Sequence, residues 1–93
     1  MDKSAAYRKL HYRAHHRGTR EADAMVGGFF DHYSKCWSAD DVLWFERLLE
    51  EQDVDIMGWA METIATPDSF AGDMIEDLKR LDFIKLPEGL QER

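Results

Sequence analysis

The chain has 93 residues, 44% apolar and 33% charged, with a net charge of -7 and a single cysteine, Cys36. That length gives one domain with one modest core, and that composition excludes an intrinsically disordered chain. One cysteine excludes an internal disulfide and a cysteine-built zinc knot, and no stretch approaches the roughly 18 apolar residues of a membrane span.

The charge is unevenly placed. Residues 1–20 hold Lys3, Arg8, Lys9, Arg13, Arg17 and Arg20 against Asp2 alone, whereas the remainder is strongly acidic. A basic start can bind nucleic acid, a membrane or an acidic protein surface, but the large acidic remainder repels polyphosphate, so nucleic acid is not an expected partner. The N-terminal residues lack an apolar signal core, and neither secretion nor stable membrane insertion is expected.

The apolar period is helical almost throughout, and no run alternates as a strand would. A first helix is predicted over about residues 3–15, with Tyr7, Leu10 and Ala14 as a narrow apolar stripe among basic residues and histidines. Gly18 ends it, because glycine enters the left-handed region that side chains resist. A second helix runs from about Thr19 to Cys36 and carries the strongest pattern: Ala22, Met25, Val26, Phe29, Phe30, Tyr33 and Trp37 form a wide buried face. Gly27-Gly28 lies within it, at a cost of about 1 kcal/mol each relative to alanine, which a close helix crossing would explain. Ser38 with Asp41 resembles a capping box opening a third helix, whose inner face is Val42, Phe45, Leu48 and Leu49, with Trp44 off that face. Asp53 or Asp55 is the expected cap of a fourth helix over about 54–64, with Ile56, Trp59, Ala60 and Ile64 inward. Thr66-Pro67-Asp68 breaks the chain. A fifth helix over about 68–82 buries Phe70, Met74, Leu78 and Leu81. The short connections imply antiparallel neighbours, so the expected fold is an all-α, compact five-helix bundle over residues 1–85, followed by a mobile tail over 86–93.

Chemistry-bearing residues are few. His11 and His15 stand one helical turn apart, a spacing that can share a metal, but no third ligand is evident in the sequence and no metal site is assigned. Cys36 is four residues from His32 and reads as a small residue beside the apolar face rather than a nucleophile. No serine has a nucleophile-elbow context, no phosphate loop is present, and the paired carboxylates read as solvated faces or caps. No catalytic residue is assigned, and the chain is not expected to be an enzyme. The one dense cluster is Arg17-Gly18-Thr19-Arg20-Glu21, with Arg13 a turn before it. Glu21 suits the first turn of a helix, and Arg17 is spaced to pair with it across the reversal. The density of arginine equally suits recognition of carboxylates on another molecule.

The run Tyr12-Arg13-Ala14-His15-His16-Arg17-Gly18-Thr19-Arg20-Glu21-Ala22-Asp23 resembles the signature of the flavinylation factors called SdhE in bacteria and succinate dehydrogenase assembly factor 2 in mitochondria. Their hallmark, R-G-x-x-E, is matched by Arg17, Gly18 and Glu21, with Asp23 as the following acidic residue and Gly27 and Phe29 in the second-helix pattern. Phe45-Glu46-Arg47-Leu48-Leu49-Glu50, Asp53-Val54-Asp55 and Trp59 are similar to later elements of the same family, so the likeness covers about residues 7–65. The resemblance implies a five-helix bundle that binds the flavoprotein subunit of succinate dehydrogenase, promotes covalent attachment of FAD to it, and then leaves; fumarate reductase is a further client of some members. It places Arg17, Gly18 and Glu21 at the contact with that subunit; with Arg13 and Arg20 of the same corner and Asp23 they form the expected partner-binding surface. FAD is expected to be held by the partner rather than stably by this chain, and the free chain is expected to be a monomer. Family-like sequence begins near Tyr7, leaving no room for a mitochondrial presequence, so the expected compartment is the bacterial cytoplasm. The alternative from a different class is a generic protein-interaction module, such as an antitoxin-like regulator.

Overall fold

Thr19 decides where the second helix begins. Its backbone is extended and its side-chain oxygen accepts the Ala22 N–H at 3.1 Å, satisfying one of the amides a helix start leaves unpaired. With Glu21 and Asp23 in the first turn, where the helix dipole favours anions, the helix then runs Arg20–Tyr33. The computed structural model describes residues 3–84. It contains α1 (Lys3–His15), α2 (Arg20–Tyr33), α3 (Ala39–Leu49), α4 (Asp53–Ala60) and α5 (Asp73–Arg80), with single 3-10 turns at Ser34–Cys36 and Asp68–Phe70. Among the described residues there is no strand, and the all-α five-helix architecture is the expected one. The expected mobile tail over 86–93 lies outside the described residues.

α2 is the centre of the core. Ala22, Met25, Val26, Phe29 and Phe30 are all buried, and Phe29 packs against the rings of Tyr33, Trp37, Trp44, Phe45 and Phe83, with centroids 5.4–6.4 Å away. Among the described side chains of α1, Leu10 and Ala14 on its narrow stripe are buried; Tyr7 is 44% exposed and packs against Phe30 with ring centroids 4.9 Å apart. The close approach expected at Gly27-Gly28 is present on both sides. A methyl group on Gly27 would overlap the His15 ring of α1, and one on Gly28 would stand 3.0 Å from the Phe83 carbonyl oxygen, where the chain returns after α5.

The third helix opens with the expected capping box: Asp41 N–H donates to Ser38 Oγ at 3.2 Å and Ser38 N–H donates to the Asp41 carboxylate at 3.0 Å. Trp44, unplaced by the helical period, is buried by a distant partner. Its indole N–H donates to the Phe70 carbonyl at 3.2 Å and its ring meets Phe70 edge-on at 5.6 Å.

Several expectations for the second half are corrected. Gln52, not Asp53 or Asp55, occupies the cap position of α4, with no side-chain bond to the helix; the Asp53 carboxylate is engaged elsewhere. α4 stops at Ala60, and Ile64 is 41% exposed, because Gly58 C=O accepts both the Thr63 and Ile64 N–H groups and turns the chain out of the helix. The segment expected as one helix over 68–82 is a 3-10 turn followed by α5, split at Gly72, whose φ of +135° is in the region that favours glycine. Ile75 joins Met74 and Leu78 in the core, and Leu81 is only partly buried. The second helix, expected to reach Cys36, ends as α-helix at Tyr33; Ser34–Cys36 is a 3-10 turn and Trp37 is extended, with the Tyr33 and Trp37 rings still packed on the core. Cys36 is exposed, not beside the apolar face.

Candidate functional site

The corner between α1 and α2 is built by residues 16–19. Gly18 has φ +120°, which side chains resist, yet a methyl group there would meet nothing within 4 Å. The glycine is needed for the reversal, and its open face points away from the fold.

Arg17 turns inward. Its side chain is 10% exposed, and each guanidinium nitrogen has an acceptor within the chain: Nε donates to Asp53 Oδ1 at 2.7 Å, one terminal nitrogen to Leu49 C=O at 2.9 Å and the other to Glu51 C=O at 2.8 Å. The two carbonyls lie at and just past the C-terminal end of α3, where the helix dipole favours a cation, and Asp53 sits in the first turn of α4, where it favours an anion. One planar fork therefore clamps the α3–α4 junction onto the α1–α2 corner. The backbone of the same residue is fixed too, since Arg17 N–H donates to Asp23 Oδ1 at 2.5 Å. The expected pairing of Arg17 with Glu21 is not formed, because Asp53 and the α3 carbonyls offer a more enclosed set of acceptors.

The other residues of the expected surface divide accordingly. Asp23 is half-buried and holds the corner through Arg17. Arg13 reaches across to Glu50 at 2.6 Å, in a pair 35% and 71% exposed whose contribution to stability is small. Gly18, Arg20 and Glu21 are exposed, and among the described residues neither Arg20 nor Glu21 has a side-chain hydrogen bond or ion-pair partner. The corner thus has a braced inner half, Arg17 and Asp23, and an outward half of one cation, one anion and a bare backbone. A second polar cluster lies nearby: His11 and His15 of α1 converge on Asp31 of α2, a third donor sixteen residues away from His15 that the sequence pattern does not reveal.

The model of the family described as flavinator of succinate dehydrogenase matches residues 8–82. The chain belongs to that family. The match extends past the motif-bearing segment into α5. Among similar proteins, the FAD assembly factor SdhE of Acetobacter pasteurianus is 32% identical over 72 residues, covering 77% of this chain and 66% of that protein. The mitochondrial succinate dehydrogenase assembly factor 2 of Saccharomyces cerevisiae is 33% identical over 84 residues, covering 87% of this chain and 49% of that protein. Assembly factor 2-B of Drosophila willistoni is 31% identical over 74 residues, covering 77% of this chain and 47% of that protein. The chain thus spans two thirds or less of the length of these relatives. As a flavinator-family member it belongs with assembly factors rather than enzymes. Within the described residues no helix is long and apolar enough to cross a membrane.

In this flavinator-family chain the motif residues divide between two tasks: Arg17 is spent inside the fold, and Gly18 and Glu21 are presented outside it. Sequence spacing alone does not reveal that division, because the acceptors of Arg17 lie 32 to 36 residues further on.

Proposed function

We propose that this chain binds the flavoprotein subunit of succinate dehydrogenase and promotes covalent attachment of FAD to that subunit, using the α1–α2 corner as its contact. The observation that carries the proposal is the family match over residues 8–82, joined to a corner whose Gly18, Arg20 and Glu21 face outward on a braced frame. With no nucleophile or cofactor-binding motif assigned to this chain, its contribution is orientation, and the reacting groups are the client's own histidine and flavin. Binding selects the client conformation in which those two groups meet. Glu21 orients a cationic or hydrogen-bond-donating group of the client, Arg20 meets an acidic one, and the bare Gly18 backbone lets the two surfaces close. FAD stays with the client, the free chain is a monomer, and fumarate reductase is a second client of the same kind. The likeness to the Acetobacter factor supports placing this work in the bacterial cytoplasm.

The test is reconstitution. Purified apo-flavoprotein subunit is incubated with FAD, with and without this chain, and covalent flavin is read as fluorescence of the denatured subunit on a gel. The rate is expected to rise at least about 10-fold when the chain is present, as positioning effects of this kind allow. Equal rates with and without it would exclude the proposed activity.

A further inference from the structure

Outside the corner, the strongest cluster of chemistry-bearing side chains is His11, His15 and Asp31. Each offers a donor atom, and the three atoms lie within 4.8 Å of one another. His11 and His15 are one turn apart on α1, with ring centroids 4.3 Å apart, and both direct Nε2 toward the same carboxylate on α2. His15 Nε2 is 3.1 Å from the Asp31 oxygens, and His11 Nε2 is 3.7 Å from Oδ1. The second distance is too long for a hydrogen bond, so Asp31 does not hold both rings as a simple acceptor. Donors about 2.0–2.2 Å from one tetrahedral ion stand about 3.3–3.6 Å apart, which lies between the two observed separations.

The rest of the structure favours the same reading. Gly27 is what lets the His15 ring lie against α2, since a methyl group there would overlap it. His11 is 51% exposed and free to close the last fraction of an ångström onto an ion. Beside the cluster is an open cavity of about 480 Å³ bordered by His15, Asp31, His32 and Phe83, which leaves one side of the site accessible to water or to a donor from another molecule. We infer that His11, His15 and Asp31 form a three-ligand site for a divalent late transition metal, zinc in the first instance, with the remaining position facing that cavity. Two imidazoles and one carboxylate are the donor set such ions take with an open coordination position. The site is independent of the proposed function, and its occupancy would tie α1 to α2 beside the corner.

The experiment uses the full chain, stripped with EDTA and exchanged into metal-free buffer, titrated with zinc sulfate by calorimetry and followed by thermal unfolding with and without zinc. One equivalent is expected to bind, with a rise in melting temperature only when zinc is present. His11→Ala and Asp31→Asn, both at half-exposed positions, are expected to weaken binding at least about 10-fold while keeping the metal-free melting temperature. His16→Ala and His32→Ala are expected to bind as the unaltered chain does. Absence of zinc binding would overturn the site. So would His11→Ala and Asp31→Asn chains that bind zinc normally, or loss of binding in the His16 or His32 variant.

Discussion

Replacing Arg17 with alanine is expected to cost about 3–4 kcal/mol, seen as a large fall in the urea midpoint of unfolding followed by circular dichroism. Asp53, 26% exposed, would lose its ion pair, and the Leu49 and Glu51 carbonyls at the end of α3 would lose their donor. For a domain of this size, with a total stability on the order of 5 kcal/mol, that loss leaves about 1–2 kcal/mol, so that a few per cent to about 15% of the molecules are unfolded at any moment. Arg17→Lys retains the charge but replaces a three-nitrogen fork by one point donor, and it is expected to recover only about half of the loss. A midpoint unchanged in Arg17→Ala would mean that the clamp contributes nothing. Under the proposed function, any loss of flavin attachment in an Arg17 variant is expected to follow its loss of stability, and Arg17→Lys is expected to recover both in part.

The second large effect belongs to Phe29. Its side chain is fully buried at the meeting point of five aromatic rings, so truncation removes the shared neighbour of α2, α3 and the segment after α5. Phe29→Ala is expected to lose about 3–5 kcal/mol, from the transfer term and from a cavity that rigid rings fill poorly. Phe29→Leu keeps most of the volume and is expected to lose about 1.5 kcal/mol or less. Urea unfolding of the two variants separates the cases; equal losses would show that ring–ring contact, rather than filled volume, holds this part of the core.

These two residues also mark what the sequence makes legible and what it leaves hidden. Phe29 is readable because its role is local and periodic: the apolar positions of α2 recur at helical spacing whatever surrounds them. The Ser38–Asp41 box and the Gly27-Gly28 crossing are readable for the same reason, each being a short-range pattern with a backbone cause. Arg17 is not, because its partners are backbone carbonyls and a carboxylate more than thirty residues away, and no spacing rule encodes them. Trp44 is the same case, fixed by Phe70 across 26 residues, and so is Asp31, which supplies a third donor to a pair of histidines on another helix. The overlong fourth and fifth helices fail differently. Residues 61–64 and 68–72, on either side of the Pro67 break, continue the apolar patterns of their helices, but Gly58 C=O and Gly72 redirect the backbone and decide the ends.

The claim on which the functional reading rests is that the outward half of the corner grips the client while the inner half only holds it in shape. Glu21→Arg tests it most directly, because Glu21 is exposed and, among the described residues, has no side-chain partner to lose. Stability is expected to fall by no more than about 1 kcal/mol, the cost of reversing a charge in the first turn of a helix, while affinity for the flavoprotein subunit in calorimetry falls at least about 10-fold. An Glu21→Arg chain that is equally stable and binds the subunit as tightly as the unaltered chain would contradict the claim.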